Sequence, residues 1–345
     1  MYKTEKEIFS QYEAAAKTYD YMESRKNDLM GFIKANKLDS LTFIGCGSSY
    51  SLCKSAETSA KMRLGFKVNA IAAGDLMMNF PLYENMLRNS LIIAPSRSGS
   101  TSEVVMAVTK AKEAFGLKCI SLSAVEASKL SDIADVSLEL PWAFDESVCQ
   151  TRTVTNLYLA NLLLIAYLAE DDRLVSELKS VVEAGAAFIN KNTETLKKIA
   201  ARDWKKVVVL ADSELEGIAE EGALAFNEIC MLQSNYYHLL DVRHGPMVLI
   251  NQETLVIAAT TPYGGNYQKD LVRDIRAKGA FVLAAITSPE GAVEADSTIE
   301  LPAGENYGVS GVPFIFIPQA LSFFKSLARG TNPDEPQGLD AWIKL

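Results

Sequence analysis

Histidine is nearly absent from this sequence. His238 and His244 are the whole supply among 345 residues, and no H-E-x-x-H pattern occurs. A metal centre built on imidazole has almost no ligands to draw on, and no metal or organic cofactor is expected. The five cysteines, Cys46, Cys53, Cys119, Cys149 and Cys230, are odd in number, scattered and never spaced C-x-x-C. That argues against a disulfide framework or structural zinc, and for a reducing, cytoplasmic setting. Positive charge is in deficit, 34 bases against 43 acids for a net charge of -9. Nucleic acid and anionic lipid are therefore not expected as partners. The opening MYKTEKEIFSQYE carries charge and no apolar core of a signal peptide. The most apolar run, Leu157 to Ala169, stops at Glu170, Asp171 and Asp172. It falls short of the roughly 20 residues that span a bilayer and reads as a buried helix.

What is present is ample apolar residue, 48% of the chain, enough for roughly two domains. Short Ile/Val-rich runs alternate with helical patterns, as in a parallel sheet covered on both faces. The predicted strands are Leu41 to Ile44, Val68 to Ala72, Leu91 to Ala94, Lys118 to Leu122, Ser137 to Leu140, Val207 to Leu210, Met247 to Ile250, Leu255 to Ala259, Ala280 to Ile286 and Thr298 to Leu301. An internal repeat organises them. SLIIAPSRSGSTSEVVMAVTKAKEAFGLKCISLSA matches TLVIAATTPYGGNYQKDLVRDIRAKGAFVLAAITSP, pairing Leu91 with Leu255 at an offset of 164 and, further on, Glu139 with Glu300 at 161. Each copy reads strand, polar glycine-containing loop, amphipathic helix, glycine stop, strand, which predicts two lobes.

Two loops of the first lobe suit an anion. After the first strand comes Gly45-Cys46-Gly47-Ser48-Ser49-Tyr50, leading into a helix expected from about Ser51 to Leu64. Glycines allow a close turn, and exposed N–H groups at a helix start favour phosphate; a plain tight turn with a serine cap is the alternative. Tyr50 stands where the third glycine of a dinucleotide fingerprint belongs, which disfavours nicotinamide chemistry. The third strand ends in Ser96-Arg97-Ser98-Gly99-Ser100-Thr101-Ser102-Glu103. Ser100 and Glu103 can form a capping box, but a cap needs one hydroxyl and this loop has five. Hydroxyl-rich turns at the carboxyl ends of two strands suit a small phosphate ester. The matching loop of the second copy, Thr261-Pro262-Tyr263-Gly264-Gly265-Asn266, has no serine cluster.

Acid–base candidates lie in the second lobe. The helix LEGIAEEGALAFNEICM, about Leu215 to Met231, places Glu221 and Glu228 seven residues apart on one face, and Asp241-Val242-Arg243-His244-Gly245-Pro246 forms a polar turn. A tuned glutamate serves as a general base and a histidine titrates near neutrality; a surface ion pair and a turn histidine are the plainer readings.

Together the two loops, the run Glu221-Gly222-Ala223-Leu224 leading to Glu228-Ile229, and His244-Gly245-Pro246 resemble the tandem sugar isomerase (SIS) family, in order and with matching spacing from about residue 30 onward. The chain is similar to the isomerase domain of glucosamine-6-phosphate synthase and to stand-alone aminosugar phosphate isomerases, deaminases and deglycases. The resemblance implies an α/β fold of two tandem SIS domains, each a mostly parallel five-stranded sheet with helices on both faces in a flavodoxin-like three-layer sandwich. The implied parts are a helical segment at 1–36, a phosphosugar-binding domain at 37–150, linker helices at 151–202, a catalytic domain at 203–330 and a tail at 331–345.

By that resemblance Ser49, Ser96, Arg97, Ser98 and Thr101 hold the sugar phosphate, with Cys46, Gly47 and Ser48 forming the first loop and Thr151 a further substrate contact. Glu228 matches the base that moves a proton between carbons 1 and 2. His244 matches the ring-opening histidine supplied by a neighbouring subunit, so a homodimer with a shared active site is implied. Two positions depart from the amidotransferase-type isomerases, which carry lysines where this chain has Ala225 and Ala341. With no glutaminase part expected ahead of residue 1, release of an amine is the natural direction. The expected enzyme is an aminosugar-6-phosphate deaminase or a fructosamine- or glucoselysine-6-phosphate deglycase. A plain aldose–ketose phosphosugar isomerase and a non-catalytic phosphosugar sensor are the alternatives.

Overall fold

The computed structural model describes residues 1–36 and 40–340. It contains two five-stranded sheets in two compact units. The amino-terminal unit is built chiefly from Ser10–Glu146 and Gln150–Lys179, and the carboxy-terminal unit from Met1–Phe9, Ser147–Cys149 and Ser180–Leu339.

In the amino-terminal unit the strands are β1 Ser40–Gly45, β2 Lys67–Ala72, β3 Ser90–Ser96, β4 Cys119–Ser123 and β5 Val136–Glu139, in the order β2-β1-β3-β4-β5. Every pairing is parallel. β1, β3 and β4 are buried along their whole length, the mark of a sheet covered on both faces and the reason these strands read as unbroken apolar runs. The helix Arg152–Leu168 contains most of the apolar run Leu157 to Ala169 and is almost wholly buried. It packs against the long helix Gln11–Asn36, where Thr18 donates to Asn156 at 2.6 Å and Tyr167 donates to Glu23 at 2.7 Å.

The carboxy-terminal unit repeats the topology with β6 Lys206–Leu210, β7 Gln233–Tyr237, β8 Thr254–Ala259, β9 Phe281–Ile286 and β10 Ser297–Glu300, in the order β10-β9-β8-β6-β7. All pairings are again parallel. The stretch Tyr307–Arg329 is long and apolar enough to cross a membrane by length and composition, yet 89% of its most apolar window is buried. That is the behaviour of a core helix.

One strand differs from the sequence reading. Met247 to Ile250 is not a strand: Pro246–Leu249 forms a 3-10 turn, with Val248 81% and Leu249 59% exposed. The fifth strand is β7 instead, whose Gln233-Ser-Asn-Tyr-Tyr sequence lies at the sheet edge. An edge strand needs less apolar surface than a central one, so its run carries little hydrophobic signal.

Matched registers align the two copies. Leu41 pairs with Leu91 as Val207 pairs with Leu255. Six residues on from these, Gly47 has φ 52° and Ser213 φ 59°. The left-handed kink between strand and helix is thus kept in both copies, with glycine in one and serine in the other.

Candidate active site

The chain runs from β1 outward to β2 and then returns past β1 to β3, so the carboxyl ends of β1 and β3 flank a topological switch point, where ligands of open α/β sheets bind. The loops leaving these two neighbouring strands carry Cys46, Gly47, Ser48 and Ser49 on one side and Ser96, Arg97, Ser98 and Thr101 on the other. Parallel pairing of β1 and β3 sets the two loops side by side, with Glu103 following the second. Burial first, and this carboxylate second, push the Cys46 thiol up.

The first turn is tighter than the sequence reading. Its helix starts at Ser48 and runs to Arg63, with Gly47 as N-cap and no side chain capping it. Gly45 is required for this closeness, because a Cβ there would stand 2.7 Å from the carbonyl carbon of Ser49 and 2.8 Å from the nitrogen of Tyr50. The second helix, Ser102–Phe115, has Thr101 as its N-cap, again with no side-chain cap. The capping box of Ser100 and Glu103 is therefore not formed: Ser100 is exposed and lies ahead of the cap, and Glu103 Oε2 is buried with no hydrogen-bond partner among the described residues.

Some of the hydroxyls shape the loop and others are unspent. Ser96 Oγ accepts from the Gly99 N–H at 3.0 Å and Ser98 Oγ from the Ser100 N–H at 3.1 Å, folding the loop on itself. Ser48 and Ser49 are each 5% exposed, and their hydroxyls, like that of Thr101, make no hydrogen bond among the described residues. Such groups find partners in water or a ligand. They lie at the N-termini of two helices of 16 and 14 residues, whose dipoles favour an anion.

Thr151, buried in the same unit, is held by a residue the sequence reading passed over. Asp145 Oδ2 accepts from the N–H groups of Thr151 at 2.8 Å and Thr153 at 2.9 Å, capping the helix Arg152–Leu168 from six residues upstream. Arg152 Nε stands 3.8 Å from Asp145 Oδ1. Burial raises this carboxyl above its usual range despite those partners. An aspartate shortly before a Thr-x-Thr that opens an apolar helix is the signal that marks it.

Glu228 and His244 belong to the carboxy-terminal unit. Glu228 lies in the last turn of the helix Glu216–Ile229 and is half-buried. His244 is exposed and closes the turn Asp241–Arg243, its N–H bonded to Asp241 O at 2.9 Å. One helical turn before Glu228, Ala225 is 2% exposed and packs in a buried cluster with Cys149 and Ile229. Ala341 lies outside the described residues.

At the strand-to-helix junction equivalent to the Gly45–Tyr50 turn, Asp212 stands for Cys46 and Glu214 for Ser48. Glu214 is 3% exposed and its Oε2 accepts from the Gly308 N–H at 3.1 Å. The second copy thus carries an internal carboxylate where the first carries a serine hydroxyl.

The SIS domain family matches the chain twice, over residues 34–169 and 201–328. The isomerizing glutamine–fructose-6-phosphate aminotransferase of Pyrobaculum aerophilum is 27% identical across 97% of this chain and 56% of its own length. The chain thus spans about half the length of the curated relatives it matches. Among solved structures, glucosamine-6-phosphate deaminase of Thermotoga maritima is 25% identical with a TM-score of 0.82, covering 99% of this chain and 100% of that one. Tagatose-6-phosphate ketose/aldose isomerase of Escherichia coli, 23% identical, superimposes with a TM-score of 0.86 over 99% of this chain and 95% of its own. The likeness to this last structure is one of fold.

Proposed function

Because this chain belongs to the SIS domain family, we propose that it is a cytoplasmic enzyme acting on an amino- or amine-linked sugar 6-phosphate and releasing the amine. The observation that carries the reading is the set of unspent hydroxyls, Ser48, Ser49 and Thr101, at two helix N-termini beside neighbouring strand ends. That arrangement fits a phosphate dianion, with Ser96, Arg97 and Ser98 completing its loop and Cys46 and Gly47 shaping the turn. Thr151 contacts the sugar.

His244 assists ring opening and Glu228 moves the proton. With the amine on carbon 1 of a ketose, Glu228 removes a proton from carbon 1 to give a 1,2-enolamine. Return of the proton to carbon 2 leaves an imine at carbon 1, and water hydrolyses it to an aldose 6-phosphate and the free amine. With the amine on carbon 2 of an aldose, the same shift runs from carbon 2 to carbon 1 and hydrolysis yields a ketose 6-phosphate and ammonia. General acid–base catalysis of this kind supplies about 10²- to 10⁴-fold per group. The apolar packing at Ala225 supports amine release over the amidotransferase-type isomerisation.

A homodimer is part of the reading. His244 sits in a surface stretch with Leu240 41%, Val248 81% and Leu249 59% exposed, apolar area that a second copy would cover.

A thermal-shift panel of hexose and hexosamine 6-phosphates, paired with an assay for ammonia or free amine, tests the reading. Stabilisation with amine release supports it; interconversion of aldose and ketose without release points to a plain isomerase, and stabilisation without product to a sensor. Glu228→Gln is expected to retain phosphosugar binding and lose turnover, and unchanged turnover would remove Glu228 from the mechanism.

A further inference from the structure

The chain's two histidines lie six residues apart, and the one the proposed chemistry leaves unused is tied firmly into the carboxy-terminal unit. We propose that Asp212 and His238 are positioning residues that clamp the start of the segment carrying His244; the inference rests on the proposed role of His244 in ring opening. Asp212 stands at the carboxyl end of β6, on the turn that leads into the Glu228 helix. Its Oδ1 accepts from the Leu239 N–H at 3.0 Å and lies 3.0 Å from His238 Nδ1. A proton on Nδ1 serves this carboxylate, which sets the tautomer and ring orientation. Tyr236, whose hydroxyl lies 3.2 Å from the same nitrogen, then donates to Ala211 O at 3.2 Å and backs the ring from β7. Glu216 Oε2 stands 3.7 Å from His238 Nε2. One carboxylate thus joins the end of β6 to the first residues after β7.

The segment beyond His238 depends on that anchor. Its backbone is held by short-range bonds, Val242 N–H to His238 O at 3.3 Å, Arg243 N–H to Leu240 O at 3.1 Å and His244 N–H to Asp241 O at 2.9 Å. One side-chain tether, Arg243 to Asp274 at 2.6 Å, assists. Asp241, Arg243 and His244 are exposed while Leu239 and Val242 root the turn in the core; exposed backbone with few long-range bonds opens at low free-energy cost, so releasing the first anchor loosens the turn. The phosphate-holding residues belong to the other unit, so substrate affinity is carried elsewhere. The expected signature is a fall in kcat with KM little changed.

The test uses the full chain and Asp212→Ala, Asp212→Asn, His238→Ala and His238→Asn, with Lys205→Ala at the opposite end of β6 as control. Hydrogen exchange is read at the amides of Leu239, Val242, Arg243 and His244. The alanine variants are expected to exchange there about tenfold faster or more. The asparagine variants, which keep an oxygen acceptor at 212 or an N–H donor at 238, and the lysine variant should resemble the parent. With the sugar phosphate that the panel identifies, Asp212→Ala should lose about tenfold or more in kcat with KM within about twofold, and Asp212→Asn should restore most of it. Unchanged exchange in both alanine variants, or unchanged kcat alongside faster exchange, would overturn the proposal. If the parent chain turns over no sugar phosphate, the functional reading fails, while the exchange data still decide whether the clamp exists.

Discussion

Gly99 offers a severe test of how the loop after β3 is built. It has φ 56°, in the left-handed region, and a Cβ there would overlap Ser128 Oγ, lie 2.5 Å from Ser128 Cβ and 3.3 Å from Ser123 Cβ. Ser128 cannot retreat freely. It is 3% exposed, and its Oγ caps the helix Lys129–Ile133 by accepting from the Ser131 N–H at 3.2 Å, while Leu130 N–H donates to Gly99 O at 2.8 Å. Gly99→Ala therefore incurs about 1 kcal/mol for the left-handed backbone, about 1 kcal/mol for the displaced cap and about 1 kcal/mol of overpacking. The sum of about 3 kcal/mol predicts a Tm lower by about 6–12 °C for a unit of this size. Phosphosugar binding should weaken with it, since Gly99 N–H also holds Ser96 Oγ. Chemical and thermal unfolding measure the first effect and calorimetric titration the second. The double variant Gly99→Ala with Ser128→Gly removes the clash and retains the backbone strain, so it should be more stable than Gly99→Ala alone. Native-like stability in the single variant, or no recovery in the double, would refute the argument.

Charge and burial set two further outcomes. Asp135 receives Lys112 Nζ at 2.6 Å, Lys118 Nζ at 2.9 Å and the Cys119 N–H at 2.9 Å; burial acts to raise its carboxyl, but these bonds prevail and hold it below the usual range. A folded-state value below the unfolded one stabilises above the unfolded value, and that contribution disappears as pH falls through the folded one. Asp135→Asn should therefore be less stable than the parent at neutral pH and approach it in acid; a constant gap in urea midpoints from neutral pH to below pH ~3 would contradict this. Burial pushes Cys119 and Cys230 up to about 12 and raises Cys53 well above its ordinary value, and Cys149 is 1% exposed. A disulfide reagent at mild alkaline pH should reach half-buried Cys46 first and the other four only on unfolding, which mass mapping of the labelled thiols checks.

Much of the scaffold was legible because a sheet buried on both faces writes continuous apolar runs into its strands, as in Leu91 to Ala94 and Leu255 to Ala259. The repeat then grouped them into two lobes. Legibility failed where burial stops deciding. β7, a polar edge strand, was missed, while Met247 to Ile250, an apolar stretch on the surface, imitated a strand. At the candidate site the hydroxyl clusters could be read, but not which hydroxyls are consumed internally: Ser96 and Ser98 brace their own loop, whereas Ser48, Ser49 and Thr101 do not. Asp145 and Asp212 escaped notice because each acts on backbone N–H groups some residues away, a partnership that only the folded chain reveals.

The paired kinks at Gly47 and Ser213 carry a wider implication. A bend that is the same with glycine in one copy and serine in the other is imposed by the strand-to-helix crossover itself, and the residue occupying it merely tolerates the shape. Junctions of this sort behave as sockets whose contents can be swapped without redrawing the frame. Here one socket holds serine hydroxyls and its twin is filled by an acid of its own, so a single chain builds opposite chemistry on one repeated frame.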